Sequence, residues 1–259
     1  YQQALRKYMD HMREKGWDKK VTLYISDEPH FRNKFVVEQM QAICEAIKEV
    51  EPDLPIYSST WRHCEDWDGY LSHWGVAHYG AFPEEIMRKR LEAGDLFWFT
   101  TDGQMSLDTP LCAIERLLPH YCCKYGATAY EFWGMNWLTY DPWKYGWHAY
   151  IRQADSPTQD PYFVRYPNGD GYLFYPGQDF DGKPVTSLRA EASRDGVDDY
   201  EYMELLAKSK GGNEVLEKVQ TLVQMPSAGG RYSTKFLTEP EKVRLYREMM
   251  GKFLSNAGE

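Results

Sequence analysis

The stretch Val21-Thr22-Leu23-Tyr24-Ile25-Ser26-Asp27-Glu28-Pro29 decides how this 259-residue chain is read. Its first five residues form the β-branched and aromatic run expected of a strand covered on both faces. Asp27 and Glu28 then stand where the strand stops, the place where α/β proteins gather their chemistry. Pro29 disfavours a helical Glu28, so the segment stays extended or turned before a helix opens near Phe31. Consecutive Cα atoms lie ~3.8 Å apart, so both carboxyls can reach one cleft. Like charges that close couple, and the coupling predicts a raised proton affinity for one of the two, taken to be Glu28. Two adjacent acids mean little alone, since 39 residues are Asp or Glu. A solvated loop pair capping the next helix also fits these two letters, and Asp198-Asp199, on a predicted helix, reads as ordinary surface.

Outward from this strand, helices and strands alternate. Tyr1 to Glu14 reads as a helix with Leu5, Tyr8, Met9 and Met12 apolar, stopped by Gly16. Phe31 to Val50 is the next helix, with Phe35, Val36, Met40, Ile43 and Ile47 on one side, and Pro55 to Ser58 follows as a short strand. Val76 to Tyr79 is a strand, Pro83 to Ala93 a helix begun by proline, and Asp95 to Thr100 an aromatic strand. Thr109 and Pro110 serve as N-cap and first residue of a helix to Tyr125, and Gly126 releases the chain into a fifth strand, Ala127 to Trp133. Gly134 to Pro184 is long and turn-rich, and so long a loop inside a compact domain is usually functional. Val185 to Ser209 returns as a helix interrupted by Gly196, and polar helices near Asn213 to Gln224 and Glu239 to Asn256 finish the chain. Strands separated by helices imply a parallel sheet, because each crossover needs a covering helix. Five of them fit part of a (β/α) barrel or an open doubly wound sheet.

At 42% hydrophobic and 15% aromatic content the chain can bury a sizeable core as one or two domains. A net charge of -9 argues against a nucleic-acid or anionic-membrane surface. No apolar run is long enough to cross a bilayer. The five cysteines, Cys44, Cys64, Cys112, Cys122 and Cys123, show neither a metal spacing nor an even-numbered disulfide framework. Cys112 and Cys122 fall in a helical pattern as small hydrophobes. His30, His63, His78 and His148 lack zinc spacing, and there is neither a glycine-rich phosphate loop nor a nucleophile elbow. Nine Trp and 20 Tyr are many for this length, and they concentrate between Tyr57 and Tyr175. Such rings stack on the CH faces of sugars, though they also fill cores. An acid kept protonated beside one kept ionised is the division of labour of a glycosidase.

Three stretches carry a resemblance: Leu23-Tyr24-Ile25-Ser26-Asp27-Glu28-Pro29, then Gly169-Asp170-Gly171-Tyr172-Leu173-Phe174-Tyr175-Pro176-Gly177, and the run from Ser187-Leu188-Arg189-Ala190-Glu191 through Arg194-Asp195-Gly196-Val197-Asp198-Asp199 to Tyr202. From the first helix to about Leu206 the sequence resembles the catalytic region of family 123 of the glycoside hydrolases and its wider group of relatives. The resemblance implies an α/β fold, a (β/α)8 TIM-type barrel represented here by about its fourth to eighth β/α units plus C-terminal helices. Residues 1–210 would be the C-terminal part of that catalytic barrel and 211–259 a helical C-terminal extension. It implies removal of terminal β-linked N-acetylhexosamine, N-acetylgalactosamine above all, by a retaining, substrate-assisted mechanism. Glu28 would then be the acid/base, and Asp27 would orient the 2-acetamido group as it attacks the anomeric carbon. No metal or organic cofactor is implied. The implied partners are a glycan or glycoconjugate substrate and an upstream segment or second chain completing the barrel, with no nucleic acid. A secreted or periplasmic location follows from the resemblance alone.

Neighbouring carboxylates agree with that mechanism on separate grounds, since inverting enzymes hold theirs ~6.5 to 9.5 Å apart to admit water and substrate assistance is a recognised exception to the two-carboxylate scheme. Tyr79, Trp98, Trp133 and Trp137 lie at or just past strand ends and are candidates for a sugar platform, with core packing as the alternative for each. Asp102, Glu131 and Asn136 are candidate partners for sugar hydroxyls, although Glu131 could point outward into a helix interface. In the helix of the third stretch, Arg189 and Arg194 are read as ties to the long loop, and Asp195 with Asp199 as a repulsive i,i+4 pair. Two other functions fit the residues: a non-catalytic carbohydrate-binding barrel, against which the intact acid pair speaks, and a glycosidase using separated carboxylates such as Glu28 and Glu131.

Overall fold

The computed structural model describes residues 1–100, 113–132, 134–136, 141–144, 148–152, 162–166, 169, 171–225 and 240–257. These fall into two compact units, the first holding 1–100 and 127–129 and the second the remainder.

The first unit runs α1 (Gln2–Glu14), β1 (Leu23–Asp27), α2 (Lys34–Lys48), β2 (Ile56–Arg62), β3 (His73–Ala81), α3 (Glu84–Glu92) and β4 (Leu96–Thr100), and the start of β5 (Ala129–Glu131) joins it after a helix. Sheet order follows chain order, β1-β2-β3-β4-β5. The first three pairings are parallel, and the Thr128 amide donates to the Phe97 carbonyl at the far side. The expected alternation is therefore present. Among the described residues the sheet starts at β1 and ends at β5 without closing, so the five strands expected as part of a (β/α)8 barrel form an open parallel sheet.

Local chemistry sets the boundaries. α2 opens at Lys34, not near Phe31, because the Asn33 side chain accepts from the Phe35 amide at 3.1 Å and caps the helix there. Its buried stripe is Val37, Met40, Cys44 and Ile47, while Phe35 points to water at 67% exposure. One face of the sheet, made by Ile56, Ser58, Thr60, Trp74, Val76, Phe97 and Phe99, is wholly buried. Phe82, at the entry to α3, packs edge-on against Phe97 and Trp74 there. The Trp74 indole donates to Asp95, which Arg90 also holds, so this polar pair is satisfied inside the core.

The second unit contains α4 (Ala113–Tyr125), the antiparallel pair β6 (His148–Arg152) and β7 (Tyr162–Tyr166), and the pair β8 (Phe174–Tyr175) and β9 (Val185–Thr186). It ends in α5 (Leu188–Lys208), α6 (Gly212–Val219) and α7 (Pro240–Ala257). The stretch expected as one long loop, Gly134 to Pro184, thus carries strands of two small sheets. α5 opens at Leu188 because the Ser187 hydroxyl accepts from the Ala190 amide.

Gly196 does not interrupt α5. α4 passes so close that a Cβ on Gly196 would fall 2.5 Å from the Arg116 carbonyl oxygen. Nor are Asp198 and Asp199 both surface residues, for Asp199 is fully buried and is met by Arg116 at 2.8 Å, His120 at 3.1 Å and Arg247 at 3.0 Å. The expected repulsion between Asp195 and Asp199 is answered by Arg116, which pairs with both. Burial lowers the proton affinity of Arg116, and the Asp199 charge works against that. Arg189, also fully buried, donates from Nε to the Tyr172 carbonyl and from Nη2 to the Tyr175 hydroxyl, so it does tie α5 to the preceding loop. Gly169 makes room for it, since a Cβ there would lie 2.6 Å from Nη1. Arg194 is an exposed partner of Glu191. No helix among the described residues is long and apolar enough to cross a membrane.

Candidate active site

Plain alternation would put Tyr24 and Asp27, three residues apart, on opposite faces of β1. The ladder shifts between Tyr24 and Ser26, however: Tyr24 pairs with Tyr57, Ser26 with Ser58 and Asp27 with Ser59. Partners in a parallel ladder share a face, and Tyr57 and Ser59 are two apart, so the extra residue, Ile25, brings Tyr24 and Asp27 to the same side. Bulges commonly re-aim a side chain in this way. The Tyr24 hydroxyl then donates to Asp27 Oδ1 at 2.9 Å.

Glu28 is held by its backbone. Its amide donates to the Ser59 carbonyl at 3.0 Å, continuing the ladder one step past Asp27. Its φ is 48°, the left-handed region that a glutamate seldom occupies. A chain turned there, with buried Pro29 next, leaves the sheet abruptly. Asp27 is exposed and Glu28 half-buried at this carboxyl end of the strand. Strain of this kind gathers at sites where surrounding structure fixes an otherwise unfavourable geometry.

The same face continues as a row of rings. Tyr24 lies 5.0 Å from Tyr57, which stacks on Trp98 at 4.5 Å. Between them β3 supplies Gly75, where a Cβ would fall 2.2 Å from Tyr57 Oη. Glycine is thus what lets the Tyr57 ring cross β3 to reach Trp98. His73 meets Trp98 edge-on at 5.7 Å and shares a hydrogen bond with the Ser72 hydroxyl. Its burial lowers the proton affinity of the imidazole.

Of the residues singled out by sequence, Asp27, Glu28, Tyr79 and Trp98 share this unit. Trp98 is half-buried, with one side covered by Tyr57. Tyr79 lies in β3. Glu131 is half-buried on β5, and exposed Asn136 forms a bridge with Tyr172 in the second unit. Asp102, Trp133 and Trp137 lie outside the described residues, as do Asp170 and Cys112. Sequence reasoning missed Tyr24 and Tyr57 as parts of the site, and the available signal was Gly75, set between the bulky Trp74 and Val76 of β3. Among the described residues no cluster of His, Cys, Asp and Glu could hold a metal ion. A cavity of about 370 Å³ lined by Arg13, Val21, Glu51, Leu54 and Pro55 sits at the amino ends of β1 and β2, opposite the acid pair.

The sequence matches the model of the family described as glycoside hydrolase 123, catalytic domain, over residues 1–206. No curated protein matches it. The fold is similar to that of a family 123 glycoside hydrolase from Clostridium perfringens, solved for the details of glycolipid glycan hydrolysis, with a TM-score of 0.57 and 16% identity. The match covers 99% of this chain and 44% of that one, so this chain spans less than half the length of that relative. At such identity the likeness concerns the fold alone.

Proposed function

We propose that this chain, which belongs to the family of the glycoside hydrolase 123 catalytic domain, removes terminal β-linked N-acetylhexosamine, N-acetylgalactosamine first, by a retaining, substrate-assisted mechanism. The observation that carries this reading is the placing of Asp27 and Glu28 as consecutive residues at the carboxyl end of β1, one anchored by a phenol and the other by the ladder of β2. Two acids so placed approach a sugar from one side. Neither then serves as a nucleophile opposite the other, and the substrate's own acetamido oxygen takes that part.

In the first step that oxygen bonds to the anomeric carbon while the glycosidic bond breaks, and Glu28 gives its proton to the leaving oxygen. Asp27 accepts the acetamido N–H, orienting the group and offsetting the positive charge of the cyclised intermediate. In the second step Glu28 takes a proton from water, whose oxygen bonds to the anomeric carbon as the ring opens. Two inversions give retention. Glu28 thus works as acid and then as base, which requires it to be protonated when substrate binds.

The β1 edge supports a wider reading of the fold. Residues 1–210 form the C-terminal part of a (β/α)8 barrel, about its fourth to eighth units, with 211–259 as a helical extension. Strands from an upstream segment or a second chain pair with β1 to close it.

Release of p-nitrophenol from its N-acetyl-β-galactosaminide by the complete protein, abolished by Glu28→Gln, is the direct test. Thiazoline analogues of N-acetylhexosamines mimic the cyclised intermediate and should inhibit. Equal turnover of substrates without the acetamido group would exclude the mechanism.

A further inference from the structure

We propose that Tyr24 is a positioning residue for Asp27, a role that rests on the substrate-assisted reading above. Asp27 is exposed at a strand end, where a short carboxylate is free to rotate about its side-chain bonds. The Tyr24 hydroxyl, donating to Oδ1 at 2.9 Å, removes that freedom and directs the other oxygen, Oδ2, to the substrate amide. A carboxylate with one oxygen committed to the protein presents a single defined acceptor. That is what an amide N–H needs if the acetamido oxygen is to meet the anomeric carbon in line.

Three features place Tyr24 in this role. The bulge at Ile25 puts phenol and carboxylate on one face, which a regular strand would not do with two residues between them. The Tyr24 ring is backed by Tyr57, and Tyr57 by Trp98, so the phenol is steadied from β4 across to β1. Gly75 is the gap through which that support passes. The ring alone is enough for the packing. Only the hydroxyl reaches Asp27, and the substitution Tyr24→Phe separates the two.

A double-mutant cycle on the complete protein, read with an aryl N-acetyl-β-galactosaminide, tests the role. A hydrogen bond to a charged group is worth roughly a tenfold to hundredfold change, so Tyr24→Phe should lower kcat by about that factor with little change in KM. In an Asp27→Ala background the same change should have less than about a twofold effect, because its target is gone. Equal losses in the two backgrounds, or no loss in the wild-type background, would overturn the role. An active wild type, a crippled Asp27→Ala and an unaffected Tyr24→Phe would sink the role of Tyr24 and leave the mechanism standing. Full activity of Asp27→Ala would sink the mechanism and this role together.

Discussion

Gly75 lies under the Tyr57 ring so closely that a methyl group there would fall 2.2 Å from the phenol oxygen and 2.8 Å from the Ser59 Cα. One obstacle is the end of a stiff ring and the other is backbone, so neither yields cheaply. Alanine would gain up to about 1 kcal/mol from lower chain entropy, against an overpacking cost of about 1–3 kcal/mol. Gly75→Ala should therefore lower the urea unfolding midpoint, and an unchanged midpoint would show that the row is softer than drawn.

Under the proposed mechanism, Glu28 sets stability against function. Its left-handed backbone costs on the order of 1 kcal/mol that glycine would not incur. Glu28→Gly should raise stability by up to about that amount and abolish hydrolysis. Chemical denaturation and a turnover assay on the same preparation check both halves.

Gly196→Ala tests close packing of two helices. Alanine favours a helix by about 1 kcal/mol over glycine, which alone would stabilise α5. The Cβ would press on the Arg116 carbonyl 2.5 Å away, and backbone overpacking at about 1–3 kcal/mol outweighs the gain. The net change in unfolding free energy should be destabilising; a rise in thermal midpoint would count against the contact.

Asp199→Ala should be the most damaging of these changes. It removes the carboxylate shared by Arg116, His120 and Arg247, leaving the half-buried Arg116 and Arg247 cations and the buried His120 ring with one partner fewer. Breaking a buried ion pair from one side costs about 3–5 kcal/mol. Denaturant titration of the variant reads the loss directly, and a loss below about 1 kcal/mol would mean that the network rearranges.

His73 gives a pH signature. Burial holds its pKa below the ordinary 6.5, with Asp95 acting in the opposite, smaller sense. The unfolded chain therefore binds the proton first. The contribution of His73 is whole above pH 6.5 and is lost as pH falls through 6.5 toward the folded-state value. Between about pH 7 and about pH 5 the thermal midpoint of His73→Gln should fall less than that of the wild type, and parallel curves would refute this.

The alternation of strands and helices was legible because each strand is a short β-branched or aromatic run ended by a turn residue, and each helix has an apolar stripe. Element ends were less so. β1 was expected at Val21 to Ile25 and lies at Leu23–Asp27, because pairing with β2 carries it through the acids. The acid pair was found from its context, but the Tyr24 link was hidden: a bulge is a relation between two strands, and spacing within one strand puts Tyr24 on the wrong face. Asp199 was misread for a similar reason. Nothing on α5 tells that Arg116 and Arg247, some 50 to 80 positions away, arrive around it. The strands within Gly134 to Pro184 rest on pairings, one of them with Val185–Thr186 beyond it, that turn-rich composition does not reveal.

β1, which carries Asp27, is also the outermost strand of its sheet among the described residues. A strand laid alongside it would run ~4.8 Å away, within side-chain reach of the carboxylate. A strand that paired with β1 would therefore stand beside the proposed site. In the barrel proposed above, the contacts that closed the sheet at β1 would also shape the surroundings of Asp27, so that assembly and turnover would be a single equilibrium.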